Sequence, residues 1–589
     1  MTMLWQPGEA RKAGSNMTRF MKLLAERHGA KVPDYPALHA WSVRETEKFW
    51  DAVWDFAGVI GEKGPRIVKD KEKLPGARFF PEGKLNFAQN LLRKNDDTPA
   101  LIFRGEDKVR RTVTWRELNE NVSRLQQALL ALDVKPGDRV VGFIPNMPEA
   151  VMAMLAAASI GATWSSCSPD FGINGVLDRF GQIEPSVLFV ADGYFYNGKT
   201  LDCLERARAI AEQLPKLKKL VVIPYTNAAP KLDGLDARSL HWADFVKPYA
   251  AKPVTYASMP FNHPLYIMYS SGTTGLPKCI VHGAGGTLMK HLEEHVLQCD
   301  LKDGDRLFYF TTCGWMMWNW LVTGLAVGCT LLLYDGAPSY PSMNTIFDFA
   351  DETGMTHMGT SAKFIDALLK AGTEPMKTHK LDKVVTIFST GSPLAPSGFD
   401  FVVAAGKSAE YKEAMRDAEY LVGFVDGLVD KELFAIAPKL KLIQLLSAGY
   451  DKADIAAAKA ARVPISNNGG ANSVAVSEHA ILLMLAVSRQ LVRQHTSVAA
   501  GRWRGNSTPR VHEVRGMTLG IIGLGTIGKK TARLATAFGM NVVYYDIARL
   551  TEDQEDALGV RFRLLRELLR TADIVSTHTP LNDSTHHLI

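Results

Sequence analysis

The chain has 589 residues, a net charge of +6, six cysteines and eleven tryptophans. That length is enough for roughly three or four domains, and so small a charge excess, without a dense Lys/Arg block, argues against nucleic-acid binding. The cysteines lack metal or framework spacing, which points to reduced thiols in a cytoplasm; no apolar run is long enough for a membrane span, and the opening MTMLWQPGEARKAG has no apolar core of a secretory signal.

Residues 1–85 mix scattered aromatics (Trp41, Trp50, Trp54, Phe79, Phe80) with many breakers and read as a helical, loop-rich lead-in. From about residue 86 the pattern alternates. Trp115–Leu132 has helical apolar spacing, Asp138–Ile144 is a short buried-strand run, Met147–Ile160 is helical, and Val187–Ala191 and Leu220–Ile223 are further strands. Such alternation predicts an α/β sheet with helices on its faces. A strand over Leu265–Met268 then runs into Tyr269-Ser-Ser-Gly-Thr-Thr-Gly-Leu-Pro-Lys278. Gly272 and Gly275 let backbone N–H groups converge on an anion. Ser270, Ser271, Thr273 and Thr274 add hydroxyl donors, and Lys278 adds a charge for phosphate. The spacing is not that of a Walker loop.

This loop resembles the phosphate-binding signature of the adenylate-forming acyl-CoA synthetases. The stretches Ala77–Asn86, Gly193–Lys199, Thr312–Trp320 and Gly359–Lys363 are similar to acetoacetyl-CoA synthetases in particular. The resemblance covers residues 1–400, as a lead-in (1–85) and an AMP-binding domain (86–400). It implies a ligase that joins a short 3-oxo acid to coenzyme A through an acyl-adenylate formed from ATP. Gly391, Ser392 and Pro393 would border the adenine, and Trp315 would shape the acyl pocket. The family also needs an adenine- and magnesium-side stretch, a ribose aspartate, a hinge arginine and a C-terminal lysine. None follows Pro396, so the domain is expected to be truncated and its magnesium site incomplete; no metal site is expected elsewhere.

The stretch Ser389–Ser408 is where the chain changes character. All six cysteines and ten of the eleven tryptophans lie upstream of it, which reads as a junction of two unrelated segments. Downstream, strands are expected at Phe401–Ala404, Tyr420–Phe424, Leu440–Leu446 and Ile465–Ser466. Helices are expected at Tyr411–Arg416, Asp430–Ile436, Asp454–Ala461 and Ser473–Arg489, the last with apolar residues at 474, 481, 482 and 485. The strand Thr518–Ile522 then meets Gly523-x-Gly525-x-x-Gly528. A helix follows with Ile527, Leu534, Ala535 and Phe538 on one face, and a second strand, Asn541–Tyr545, ends at Asp546. Strand, glycines, helix, strand and acid in that sequence form a dinucleotide fingerprint. Gly523 serves the tight turn, Gly525 the approach of a pyrophosphate, and Gly528 close helix–strand packing. The phosphates sit at the helix N-terminus. Asp546 takes the ribose hydroxyls, which favours NAD over NADP, although Arg549 is near enough to blur that choice.

This half resembles the D-isomer-specific 2-hydroxyacid dehydrogenases through Ser447–Asp451, Asn472–His479, the glycine fingerprint and Thr577–Leu581. The resemblance implies a flavodoxin-like substrate domain (401–500) and a partial Rossmann NAD-binding domain (501–589) acting on a short oxo or hydroxy acid, and pairing into a homodimer. Ala448 and Gly449 would hold a substrate carboxylate, Thr526 and Ile527 would touch pyrophosphate, and Thr579, Pro580 and Thr585 would line the nicotinamide side. His479 belongs to a helix joining two domains, and His578 reads as structural. The family's arginine, glutamate and histidine are expected beyond Ile589. The expected protein is therefore an α/β chimera of two enzymes that retains NAD and ATP/AMP binding, with no complete catalytic set. Two alternatives stay open: a nucleotide-binding sensor, and an enzyme completed by a partner chain.

Overall fold

The computed structural model describes residues 7–73, 75–270, 276–390, 402–503, 510–582 and 584–588. The chain divides into two compact units, Met1–Ser397 and Gly398–Ile589.

The first unit is built on two sheets. One has seven strands in the order Ser239–His241, Lys219–Ile223, Val187–Ala191, Arg139–Phe143, Thr163–Cys167, Pro264–Tyr269 and Cys279–Gly283. All neighbours are parallel except the last pair, which is antiparallel. Every residue of Thr163–Cys167 and Val187–Ala191 is buried, the mark of parallel strands covered on both faces. The second sheet has six strands, in the order Thr386–Thr390, His357–Ser361, Arg306–Tyr309, Thr330–Asp335, Pro99–Gly105 and Val109–Thr114.

Local chemistry sets the helices between them. Trp115–Ala131 starts at a capping box: the Thr114 hydroxyl accepts from the Glu117 N–H, and the Glu117 carboxylate accepts from the Thr114 N–H. Its stripe Trp115, Leu118, Val122, Leu125 and Leu129 is buried. Pro148–Ser159 is apolar on all sides and buried along its whole length, as such a helix must be in a soluble core. The lead-in contributes four helices, Glu9–Ala13, Asn16–His28, Tyr35–Arg44 and Thr46–Phe56. They bring Phe20, Leu24, Trp41 and Trp54 into the same core as Leu101, Val140 and Leu331.

Two carboxylates, the buried Glu106 and the partly buried Asp335, have no basic partner among the described residues and fasten the hairpin Gly193–Tyr196/Lys199–Asp202 to the second sheet. Glu106 accepts from the backbone N–H groups of Asn197, Gly198 and Ala337 at 2.7, 2.9 and 2.9 Å. Asp335 accepts from the Tyr225 hydroxyl at 2.8 Å and the Phe195 N–H at 3.4 Å. Burial pushes the Asp335 carboxyl up to about 7.

The second unit holds two parallel sheets. The smaller runs Tyr420–Gly423, Leu442–Leu445, Ile465–Ser466. The larger runs Val560–Phe562, Asn541–Tyr545, Thr518–Ile522, Ile574–Thr577. Counted along the chain the larger order is 3-2-1-4, the order of a Rossmann half-sheet with its first strand after the switch. Among the described residues the expected strand at Phe401–Ala404 does not form. Residues 402–405 pair with no strand and Val403 is 91% exposed, so an apolar run without a neighbour stays irregular. The apolar faces of two helices also differ from expectation. Thr526–Ala537 buries Gly528, Thr531, Ala532 and Ala535 while Phe538 is exposed; small residues let the helix lie close to the sheet. Ser473–Ser488 buries Ser473, Ser477, Ile481 and Met484, and leaves Val474 and Leu482 exposed.

Candidate functional site

In the first unit, the strand Pro264–Tyr269 delivers the glycine- and hydroxyl-rich loop at its C-terminal end. The two stems of the loop are tied together. Ser270 N–H donates to the Lys278 carbonyl at 3.1 Å, and Lys278 N–H donates to Ser270 Oγ at 3.0 Å. Both stems also rest on the helix Ile173–Ile183: Gln182 Nε2 donates to the Pro277 carbonyl at 2.9 Å, and the Arg179 guanidinium lies 5.6 Å from the Tyr269 ring centroid. Tyr269 is anchored by its hydroxyl, which accepts from Ser165 Oγ at 3.0 Å; burial raises that phenol far above its ordinary value. Ser271, Gly272, Thr273, Thr274, Gly275, Gly391, Ser392 and Pro393 lie outside the described residues.

The tryptophan cluster separates by role. Trp318 is fully buried and donates to Asn146 Oδ1 at 3.0 Å, and Trp320 is buried and donates to Glu294 Oε2 at 2.9 Å. Both are core. Trp315 is 62% exposed at the start of the helix Met316–Thr323, the one of the three free to meet a ligand. Just before it in the chain, Cys313 and Gly314 join Ser165, Ser166, Met268 and Asn319 around a narrow crevice of about 10 Å³, room for a single water. Among the described residues no group of His, Cys, Asp and Glu side chains could hold a metal ion.

In the second unit, Gly523 follows the first strand with φ +90°, and its N–H donates to the Tyr545 carbonyl at 2.9 Å. A Cβ there would lie 2.9 Å from the His578 backbone carbonyl, so the loop after strand one and the loop after strand four touch at this residue. A Cβ at Gly528 would lie 2.3 Å from the Gly523 oxygen, whereas one at Gly525 would meet nothing within 4 Å. Gly528 is thus required for packing, and Gly525 faces the open side where a ligand must approach. Thr526 and Ile527 open the helix Thr526–Ala537, whose first N–H groups have no partner within the helix. Asp546, at the end of strand two, accepts from Leu524 N–H at 2.6 Å and from Ala548 N–H at 2.9 Å, one per oxygen. Each oxygen keeps a second lone pair for a hydroxyl. Arg549 is held elsewhere, against the buried Glu555 at 3.3 Å and over the Phe562 ring at 5.1 Å.

The remaining predicted positions gather around the same loops. Thr579 is half-buried beside Gly523, and Thr585 Oγ1 donates to the Pro580 carbonyl at 2.5 Å. Among the described residues, the N–H groups of Ala448 and Gly449 make no hydrogen bond. The Ala448 carbonyl is taken by Asn467 Nδ2 at 2.7 Å and the Gly449 carbonyl by Ser447 Oγ at 2.8 Å. That leaves two N–H donors side by side. The turn through Gly470 reaches Thr526, whose Cγ2 would be 4.0 Å from a Cβ at Gly470. Sequence reading passed over Asn467 and Gly470, although the run Ser466-Asn-Asn-Gly-Gly470 carried the turn signal that could have found them. His479 is exposed on its helix. His578 bonds Ser576 Oγ at 3.0 Å, and burial lowers its pKa. Among the described residues of this unit no histidine pairs with a carboxylate.

Comparison with known proteins now fits this geometry. The AMP-binding enzyme profile matches residues 87–413, more than half of the chain, and the acetyl-coenzyme A synthetase N-terminus profile matches residues 35–91. The chain belongs to the AMP-binding enzyme family. Its C-terminal part matches a different family: the profile of the D-isomer specific 2-hydroxyacid dehydrogenase NAD binding domain covers residues 481–589. Over 399 residues the chain is 53% identical to an acetoacetyl-coenzyme A synthetase of Rhizobium meliloti (strain 1021), covering 68% of this chain and 61% of that protein. Over 416 residues it is 42% identical to the acetoacetyl-CoA synthetase of Gallus gallus, covering 69% and 62%. A solved acetoacetyl-CoA synthetase from Streptomyces lividans superposes with a TM-score of 0.64 at 44% identity, over 67% of this chain and 61% of that one. The chain therefore spans about three fifths of the length of these relatives. It is a chimera of an acyl-CoA-synthetase-like part and a dehydrogenase cofactor part.

Proposed function

We propose that this protein is a two-site nucleotide binder: its first unit takes ATP or AMP in the loop between Tyr269 and Lys278, its second takes NAD(H) at the Gly523–Gly528 loop, and neither turns over a substrate unaided. The second unit carries the proposal. At its switch point, where strand order reverses, three features meet: a glycine turn that no side chain can enter, a helix start, and an acid aimed at the ribose. With Arg549 committed to Glu555, no cation beside Asp546 among the described residues favours a 2′-phosphate, so NAD is preferred over NADP.

The relatives' names assign the first unit's ancestral chemistry: a ligase that joins acetoacetate, a short 3-oxo acid, to coenzyme A. We assign phosphate contacts to Lys278 and Ser270, and the acyl side to the exposed Trp315. Yet the AMP-binding match ends at residue 413 and residues 481–589 match another family, and positioning and electrostatics supply most of the acceleration of phosphate chemistry. Half a cradle binds without catalysing. In the second unit Ala448 and Gly449 offer N–H donors to a carboxylate, while among its described residues no histidine–carboxylate pair is present to move a proton with the hydride. The test is a titration of the full chain with NADH, followed by its fluorescence, alongside pyrophosphate exchange with acetoacetate. Saturable NADH binding without exchange supports the proposal, and turnover in either assay refutes it.

One surface favours self-association through the second unit. The helices Ser473–Ser488 and Leu491–Ala499 expose Leu482, Leu483, Val487, Leu491 and Val492, the last 77% accessible. Large apolar side chains exposed on two successive helices suit an interface, and we assign them to a second copy of the chain. Light scattering should show a dimer that Leu483→Asp dissociates.

A further inference from the structure

The aromatic residues of the lead-in do not all close into the core. Trp54 and Phe80 are buried, but Trp50 and Phe79 are only partly so. With Phe80 they line a cavity of about 250 Å³. An apolar cavity of about 150 Å³ holds benzene, so this one has room for two fused rings. Its floor is Phe80, Phe261 and Met289, all buried. Trp50 and Phe79 meet edge to face with ring centroids 6.1 Å apart and form a wall. The Phe80 and Phe261 rings lie 4.9 Å apart. Both spacings fall in the range of aromatic attraction.

The backbone around the cavity fixes its shape. Phe261 N–H donates to the Gly83 carbonyl at 2.8 Å, and Gly285 N–H donates to the Phe261 carbonyl at 2.8 Å. The helix Ala284–Leu292 carries two adjacent glycines with opposite surroundings. A Cβ at Gly285 would lie 2.2 Å from the Phe261 ring, so glycine there lets the helix press against the floor. A Cβ at Gly286 would meet nothing within 4 Å, so glycine there keeps the mouth open. Phe80 takes φ +44°, a left-handed conformation that is costly for a bulky side chain and clusters at ligand sites.

Charge and hydrogen bonding narrow the ligand. Lys290 is the only charged side chain among the described residues that line the cavity, and it is taken by Glu293 at 2.7 Å and Glu294 at 3.0 Å. An anion finds no free cation there. The Trp50 indole N–H and the Asn262 side-chain amide, by contrast, have no hydrogen-bond partner among the described residues. Aromatic walls with unspent neutral polar groups suit a planar apolar body with a polar edge. We propose that this cavity binds an uncharged bicyclic aromatic molecule carrying a hydroxyl-type polar group, at a site that shares no lining residue with either nucleotide loop.

Calorimetry of the full-length chain with naphthol tests this, with naphthoate and the saturated analogue decalol as comparisons. Naphthol should bind saturably, and each comparison about tenfold or more weakly. Gly286→Leu fills the mouth and should abolish naphthol binding. Its far-ultraviolet spectrum should be unchanged and its denaturant midpoint no lower, because leucine favours a helix over glycine. Phe79→Ala removes part of the wall and should weaken naphthol about tenfold; it decides the matter if the leucine variant does not fold. The proposal is overturned by no naphthol binding, by equal binding of naphthoate or decalol, by wild-type naphthol affinity in either folded variant, or by displacement of naphthol by ATP.

Discussion

Replacing Gly528 by alanine is the sharpest perturbation of the second unit, because its cost can be worked from a single contact. The added Cβ would lie 2.3 Å from the Gly523 carbonyl oxygen, with Gly523 itself held at φ +90° against the His578 backbone. Ordinary contact begins near 3.4 Å, so helix and turn must part by about 1 Å. Overpacking of this kind costs roughly 1–3 kcal/mol. The turn is the softer side, since the helix is packed through Thr531, Ala532 and Ala535. The strain therefore falls on the N–H groups that would meet the pyrophosphate. We expect Gly528→Ala to lower the unfolding free energy of this unit by that amount and to weaken NADH binding at least about tenfold. Denaturant melts and fluorescence titration measure the two. Wild-type NADH affinity in the variant would show that the cofactor does not use this turn.

Three further outcomes follow from the geometry. Asp546→Ala should weaken NADH and narrow its advantage over NADPH, read as the ratio of the two dissociation constants; an unchanged ratio would show that Asp546 only pins Leu524. Burial raises the Asp335 carboxyl from 3.8 to about 7; the folded state holds that proton more tightly than the unfolded chain. Asp335 thus stabilises nothing as pH rises from about 4 to about 7: the first unit should lose up to ~4 kcal/mol over that window and then level off, and Asp335→Asn should flatten the slope in denaturant melts. Trp318→Ala should cost about 3–5 kcal/mol through a core cavity and the lost bond to Asn146, while Trp315→Ala should change stability by no more than about 0.5 kcal/mol; equal costs would contradict the division between a core and an exposed tryptophan.

What the sequence disclosed, and what it hid, follows physical lines. The dinucleotide loop was legible because its demands are local. A turn at positive φ, a close approach and a helix start each require glycine at a fixed offset, and Gly523, Gly525 and Gly528 supply them. The fully buried strands were legible from their unbroken apolar runs. The face of Thr526–Ala537 was misjudged because large side chains draw attention, whereas the sheet selects small ones, Gly528, Thr531, Ala532 and Ala535. The run at Phe401–Ala404 has strand composition, but a strand needs a neighbour, and residues 402–405 have none. Glu106 and Asp335 left no trace in sequence, since their partners lie far along the chain: a backbone amide 91 residues away for Glu106, and the Tyr225 hydroxyl 110 residues away for Asp335.

The claim on which the rest stands is that one polypeptide keeps two nucleotide cradles and no complete catalytic site. Its most direct test is calorimetry of the full-length chain with NADH, repeated in saturating ATP. The account predicts one NADH site per chain with the same affinity in both titrations, and a separate heat for ATP. Absence of NADH binding, or displacement of NADH by ATP, would contradict it.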